Sequence, residues 1–327
     1  RHQQAREFYL FSILITMRFF ILKLLLFLAL LASAYAFLVN RLSEGYVDMY
    51  YPKYTQGASS LVIGLSRADQ GIAPKTVTEN INQEIDLPLI NFAANQYYYG
   101  EVYLEAIKKK LIRANGKGVF ILSASPGSFT APIGFGAEGI KKMDEKAAIG
   151  KTEDFNSNPN YSYIINCYGE GLYHALLAQR APGNVITHDN GWNEVLVSGS
   201  DFTLNDALKM DWKRQNLAYF QRRLPKEETK NYRWEWFGKT IEYLMDKGQV
   251  ILVRMPADKE IIDFENENSP NFRKSMDSIT KVHQIPYLDY SKNAPGYKTY
   301  DGSHLHSESA IQFSTQLAKD MAVHIKR

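Results

Sequence analysis

Three side chains in this sequence have the types and spacing of a nucleophile, a base and the acid that orients the base. Ser66 stands in Gly64-Leu65-Ser66-Arg67-Ala68, directly after the apolar run Leu61-Val62-Ile63. A short apolar run that ends at small residues reads as a buried parallel strand. A serine at the carboxyl end of such a strand faces the crevice where open α/β sheets hold ligands, although the same position also suits a helix N-cap. Near the other terminus, Tyr300-Asp301-Gly302-Ser303-His304-Leu305 sets a carboxylate three residues before a histidine, in a turn ahead of the last helix. There Asp301 can accept from the Nδ1–H of His304, which fixes the tautomer and leaves Nε2 to take a proton from an alcohol. A capping Asp and a core His would share that spacing. The presence of Ser66 tips the reading towards chemistry.

The elements that must carry these residues alternate. Strands are expected over 60–64, 87–92, 118–123, 249–255 and 287–290, and helices over 74–85, 101–114, 229–246, 271–283 and 307–326. Strand alternating with helix implies a parallel sheet covered on both faces, and the expectation is a flavodoxin-like three-layer α/β/α sandwich with a mainly parallel sheet. The stretch 130–225 breaks the alternation. It is rich in Gly, Asn, Tyr and Trp, has helical character near 168–179 and 204–223, and reads as an insertion overhanging one end of the sheet.

The first forty residues are of another kind. Residues 8–17 and 19–39 are almost wholly apolar, broken by Arg18 and Lys23, and the second run is long enough to span a hydrocarbon layer of ~30 Å as a helix. With Met17 as a start, Arg18 and Lys23 form a short basic region ahead of the apolar stretch, the pattern of an export signal. Ala34-Tyr35-Ala36 offers a cleavage triplet, but Phe37-Leu38-Val39 stays apolar, which favours an uncleaved anchor. The expected organisation is a signal anchor or signal peptide over 1–40, a tether over 41–59 and the α/β domain over 60–327. The domain would face the periplasm or cell exterior, with the membrane as a partner of the N-terminal helix.

Composition excludes several classes. In 327 residues, 38 basic against 35 acidic side chains leave a net charge of +3, too little for a nucleic-acid binder. Hydrophobic residues at 45% and charged residues at 22% exclude wholesale disorder. Cys167 is the one cysteine, so there is no internal disulfide framework and no CxxC metal site. His304 and His306 with Asp301 are joined by no further ligand cluster, and no metal or other cofactor is expected.

Together the serine block and the D-x-x-H turn resemble the SGNH (GDSL-like) hydrolase superfamily over about 60–128 and 229–326. Ser66 matches the family's nucleophile, Asp301 its acid and His304 its base, in the family's order along the chain. The resemblance is closer to anchored cell-envelope members that act with membrane-bound O-acyltransferases. It implies a serine esterase or O-acyltransferase working through an acyl-enzyme on acyl, chiefly acetyl, esters of a carbohydrate polymer. The family's oxyanion hole uses the serine amide, a glycine amide from a second block and an asparagine side chain from a third. Here the second block aligns with Asn91-Phe92-Ala93-Ala94-Asn95, without the glycine, and the third with Ser123-Ala124-Ser125-Pro126-Gly127, without the asparagine. Asn91 and Asn95 are the candidates to join Ser66 as donors, unless they serve turns instead.

Three further residues are candidate substrate contacts, each with a plain alternative. Arg67 would bind an anionic group or pair with a carboxylate. His188 and Trp192, in His188-Asp189-Asn190-Gly191-Trp192, would line a sugar cleft or form a packed turn. The altered oxyanion blocks also suit a catalytically silent subunit that keeps the fold for binding or assembly. An α/β-hydrolase elbow at Gly64-x-Ser66 fits less well, because this serine follows the first strand and its acid and base lie three residues apart.

Overall fold

The computed structural model describes residues 2–112, 116–177, 183–199, 203–293 and 295–325. The chain divides into two units, Arg1–Val47 with Gly169–Gln179, and Asp48–Tyr168 with Arg180–Arg327. The first is built on helix α1 (His2–Ser43), whose stretch Phe8–Ser43 is long and apolar enough to cross a membrane. The 3-10 turn Leu172–Leu176 packs on α1 within this unit. The expectation of helix over 168–179 is met only by that turn, and residues 178 and 179 lie outside the described residues.

In the second unit five short strands pair in parallel: β1 (Ser60–Ile63), β2 (Leu89–Asn91), β3 (Gly118–Ser123), β4 (Gly248–Arg254) and β5 (Tyr287–Asp289). Their order is β2-β1-β3-β4-β5, with Val62 beside both Asn91 and Ile121, and Ile121 beside Ile251. This is the flavodoxin-like order, and its topological switch lies between β1 and β3. Side chains alternate across the sheet as the two-residue period requires. Val62, Val119, Ile121, Ile251 and Val253 join one core with helices α2 (Ser66–Gly71) and α3 (Pro74–Asn80) and the C-terminal helix Ser307–Ala322. Leu61, Ile63, Phe120, Leu122, Val250 and Leu252 are equally buried on the opposite face. There lie α4 (Glu101–Lys110), which carries Tyr103, and Phe237, whose ring stands 4.4 Å from that of Tyr99.

The insertion supplies helix α5 (Asp206–Arg223), and its first residues, Thr130–Pro132, pair antiparallel with Glu227–Thr229 just beyond its end. Beyond it run α6 (Asn231–Met245), α7 (Lys259–Asn268), α8 (Phe272–His283) and α9, the helix Ser307–Ala322. Helix α7 lies outside the expected elements, since its apolar face is little more than Ile261 and Ile262. Helix α3 ends before the expected 85 because the chain turns at Asn82, with φ of 49°. Helix α4 ends before 114 because Leu111 leaves to bridge Ala58. Residues 113, 114 and 326, expected at helix ends, lie outside the described residues.

Much of the stretch 41–59, expected as a tether, is packed into the second unit. Tyr51, Lys53, Tyr54 and Ala58 are buried, and the Tyr54 ring packs against Phe155 at 5.4 Å and Tyr163 at 4.7 Å. Burying such rings outweighs the polarity of their neighbours. The Lys53 ammonium donates to Asp69 Oδ1 at 2.8 Å, to Asn91 O at 3.1 Å and to Gly191 O. Burial pushes the Lys53 amine down and the Asp69 carboxyl up, and their mutual attraction opposes both shifts. Removing one partner leaves a buried charge unmatched, so Lys53→Ala should cost about 3–5 kcal/mol, seen as a lower melting temperature of the full chain in detergent. An unchanged melting temperature would contradict the packing described.

Lys110 is buried nearby, and desolvation followed by the Lys53 charge pushes its amine down to about 7. An unfolded lysine stays protonated to about pH 10.4, so between the two values the unfolded chain binds the extra proton. Stability should therefore rise with pH from about 7 to about 10. The rise should flatten in Lys110→Met, in a comparison of urea midpoints across that range.

Candidate active site

The backbone around Ser66 is set by residues behind it. Gly64 leaves β1 with φ of +148°, and a Cβ there would stand 2.9 Å from the Ser123 Cβ, so the turn requires glycine. Its carbonyl accepts from Ala94 N at 3.2 Å, and its amide donates to Tyr103 OH at 3.3 Å. Ser66 is then the first residue of α2, whose early turn is closed by Ala68 N and Asp69 N donating to Leu65 O. Asn91 holds the far end of α2: its Nδ2 donates to Ala68 O at 2.8 Å and Ile72 O at 2.9 Å, and its Oδ1 accepts from Ala93 N at 3.1 Å. Asn193 Nδ2 donates to Asp69 Oδ1 at 2.9 Å, so the Lys53–Asp69 pair also anchors this helix.

His304 arrives on a turn shaped by Asp301. Asp301 Oδ1 accepts from Ser303 N at 2.9 Å and His304 N at 2.8 Å, while Oδ2 lies 2.7 Å from His304 Nδ1. Gly302, with φ of +82°, lets the chain make this bend. The Tyr300 ring stacks on the imidazole at 5.8 Å, and its hydroxyl donates to Gln70 Oε1 at 2.7 Å. His304 Nε2 lies 2.8 Å from Ser66 Oγ. Burial works to raise the Asp301 carboxyl, but the His304 ring and the Ser303 and His304 amides outweigh it and hold the carboxyl below its ordinary value. An ionised Asp301 only accepts, so Nδ1 carries the ring hydrogen and Nε2 is left to accept from the serine hydroxyl.

These groups open onto a cavity of about 250 Å³ at the carboxyl end of the sheet, beside the switch point. Ser66, Arg67 and Asn95 line it with Ser125 and Gly127 after β3, and the insertion helix α5 closes it with Asn216, Tyr219, Phe220 and Arg223. Arg223 donates to Tyr98 OH at 2.8 Å and pairs with Glu227, while Asn216 Nδ2 reaches Asp301 O at 3.3 Å. The α5 contributors escaped the sequence reading. Their spacing of three, four and seven residues, which puts them on one helix face, was the available signal.

The structure places the other candidates as follows. Arg67 is buried; its Nε donates to Ser303 Oγ at 2.9 Å and its Nη2 pairs with Glu265 at 2.8 Å. It ties the serine's segment to the residue beside His304, while its Nη1 has no hydrogen-bond partner among the described residues. Asn95 is exposed, lines the cavity and makes no side-chain hydrogen bond among the described residues. Asn91 is not placed to serve as an oxyanion donor, because its amide is fully buried and spent on the carbonyls of α2. His188 and Trp192 do not line this cavity. His188 Nε2 lies 2.7 Å from Glu194, its ring stacks on Trp192 at 4.7 Å, and Trp192 joins the hydrophobic core with its Nε1 donating to Gln70 O at 2.9 Å. Burial of the indole makes this a packed turn. Cys167 is half-buried beside Thr152. Among the described residues no cluster of three or more His, Cys, Asp or Glu side chains could hold a metal ion.

No family model and no curated protein sequence matches the chain. Among solved structures it is similar to a lipase/acylhydrolase from Enterococcus faecalis, with a TM-score of 0.36 and 12% identity over 82% of this chain and 97% of that one. It is also similar to the lipase Lip_vut3 from a goat rumen metagenome, with a TM-score of 0.33 and 11% identity over 79% of this chain and 96% of that one. Likeness of this depth carries no argument about the site, which rests on its own geometry.

The two asparagines should separate experimentally. Asn91→Ala orphans buried carbonyls and should cost about 1–3 kcal/mol in a thermal melt, whereas Asn95→Ala should stay within about 0.5 kcal/mol. Equal losses would contradict the roles assigned.

Proposed function

We propose that the chain is a serine esterase or O-acyltransferase in which Ser66 is the nucleophile, His304 the base and Asp301 the orienting acid. The observation that carries this reading is the continuous hydrogen-bonded line from Asp301 through His304 to Ser66, open to the cleft at the sheet's switch point. His304 Nε2 takes the Ser66 proton as Oγ attacks the ester carbonyl, and the imidazolium that forms is stabilised by Asp301. The Ser66 amide, which as the first of α2 has no intrahelical acceptor, and the Asn95 side chain supply hydrogen bonds to the oxyanion. Collapse expels the alcohol, which receives the proton from His304, and leaves an acyl-serine. Water or a sugar hydroxyl then repeats the sequence in reverse, so hydrolysis and transfer share every residue.

In this reading α1 anchors the protein in a membrane with the α/β unit on the periplasmic or outer side. The substrate is an acylated, chiefly acetylated, cell-envelope polysaccharide, with a membrane-bound O-acyltransferase as a partner. The aromatic lining from Tyr98, Tyr219 and Phe220 suits sugar rings, and the apolar α1 suits work at an envelope. The full chain in detergent should hydrolyse an aryl acetate. Ser66→Ala should abolish turnover, and Asp301→Asn should lower kcat by ~10⁴-fold through the wrong His tautomer. A well-folded parent chain with no turnover would overturn the proposal and favour a silent binding or assembly subunit of the same fold.

A further inference from the structure

The 3-10 turn Leu172–Leu176 and the residue after it turn an apolar surface outward. Tyr173, Leu176 and Leu177 are 62%, 66% and 57% exposed, while Ala175 between them is buried. A lone exposed leucine is ordinary, but three large apolar side chains within five residues make a patch. The turn belongs to the same unit as α1 and packs on it. Every described side chain of α1 over 8–35 is exposed, whereas Val39 and Leu42 are buried, so burial along this helix is confined to its last two turns or so. The turn therefore meets α1 at that end. There the apolar run 19–39 gives way to Asn40 and Arg41, the level at which a membrane-spanning helix leaves the hydrocarbon.

We propose that Tyr173, Leu176 and Leu177 lie in the interfacial layer of the bilayer that α1 spans, as a second contact of this chain with lipid. The proposal rests on the reading of α1 as a membrane anchor. The patch continues the lipid-facing surface of α1 at the level of the headgroups, where tyrosine is favoured because its ring is apolar and its hydroxyl wet. A leucine pair at that depth reaches the acyl boundary, and a fluid lipid layer covers it without needing a matching protein surface.

The test uses the full chain reconstituted in phosphatidylcholine vesicles with and without acyl-brominated lipid. A polarity-sensitive fluorophore is attached to Leu176→Cys, to Leu25→Cys in α1, or to Lys259→Cys on exposed α7, each in a Cys167→Ser background. All three positions are exposed, and matching melting temperatures show that the fold is kept. Should the Cys167→Ser background melt early, the same labels are read with Cys167 retained and the signal of the unsubstituted chain subtracted. The expected result is strong quenching at position 25, intermediate quenching with a blue-shifted emission at 176, and none at 259. Quenching at 25 with none at 176 overturns the proposal while leaving the anchor intact. Quenching at neither position overturns the anchor and the proposal with it.

Discussion

The site depends on one hydrogen bond, between Ser66 Oγ and His304 Nε2, made across 238 positions of chain at 2.8 Å. Neither residue can search for the other, so each backbone must be fixed independently to well within an ångström. Ser66 is fixed from below, where Asn91 ties the carbonyls of Ala68 and Ile72 at the end of α2, and the buried Lys53–Asp69–Asn193 set holds the helix's fourth residue. His304 is fixed from within its own turn, by an Asp301 carboxylate that closes the bend with one oxygen and orients the ring with the other. Arg67 joins the two supports directly through Ser303.

Charge is handled consistently around this bond. Lys53 pairs with Asp69, Arg67 and Arg254 with opposite oxygens of Glu265, Arg233 with Asp144 and Asp301 with His304, while buried Lys110 donates only to backbone carbonyls among the described residues. Pairing of this kind avoids the penalty of an isolated buried ion, and it locates each group more narrowly than apolar packing would. The orienting carboxylate stays ionised although it is largely out of water, which is what a base that must become imidazolium requires.

How far the sequence revealed this depended on whether a signal was local. Ser66 follows an apolar strand that ends in glycine, and Asp301 and His304 share one turn, so their roles could be argued from neighbours alone. The parallel sheet was legible for the same reason, since β1, β3 and β4 are short apolar runs. Asn91 and Asn95 looked alike because both follow the second strand's apolar residues. What separates them is that Asn91 ends β2 facing the carbonyls of α2, while Asn95 lies past the strand at the cleft. The burial of Lys53 within the expected tether was not legible, because a lysine among tyrosines carries no mark of burial and its acceptors come from three distant segments. His188 and Trp192 have the composition of a sugar site, yet the nearest demand on the indole is the core beside α2. The α5 face of the cleft was hard to orient, because the helix has no fully buried residue and hence no clear apolar stripe, and the spacing of its cleft residues shows only that they share a face.

The measurement that addresses the central claim most directly is the mass and position of a covalent adduct after treatment with a serine-directed fluorophosphonate. An alcohol deprotonated by a positioned imidazole should react alone among the chain's serines, giving one adduct per chain mapped to the peptide that contains Ser66. An unmodified chain, or an adduct on any other serine, would contradict the account.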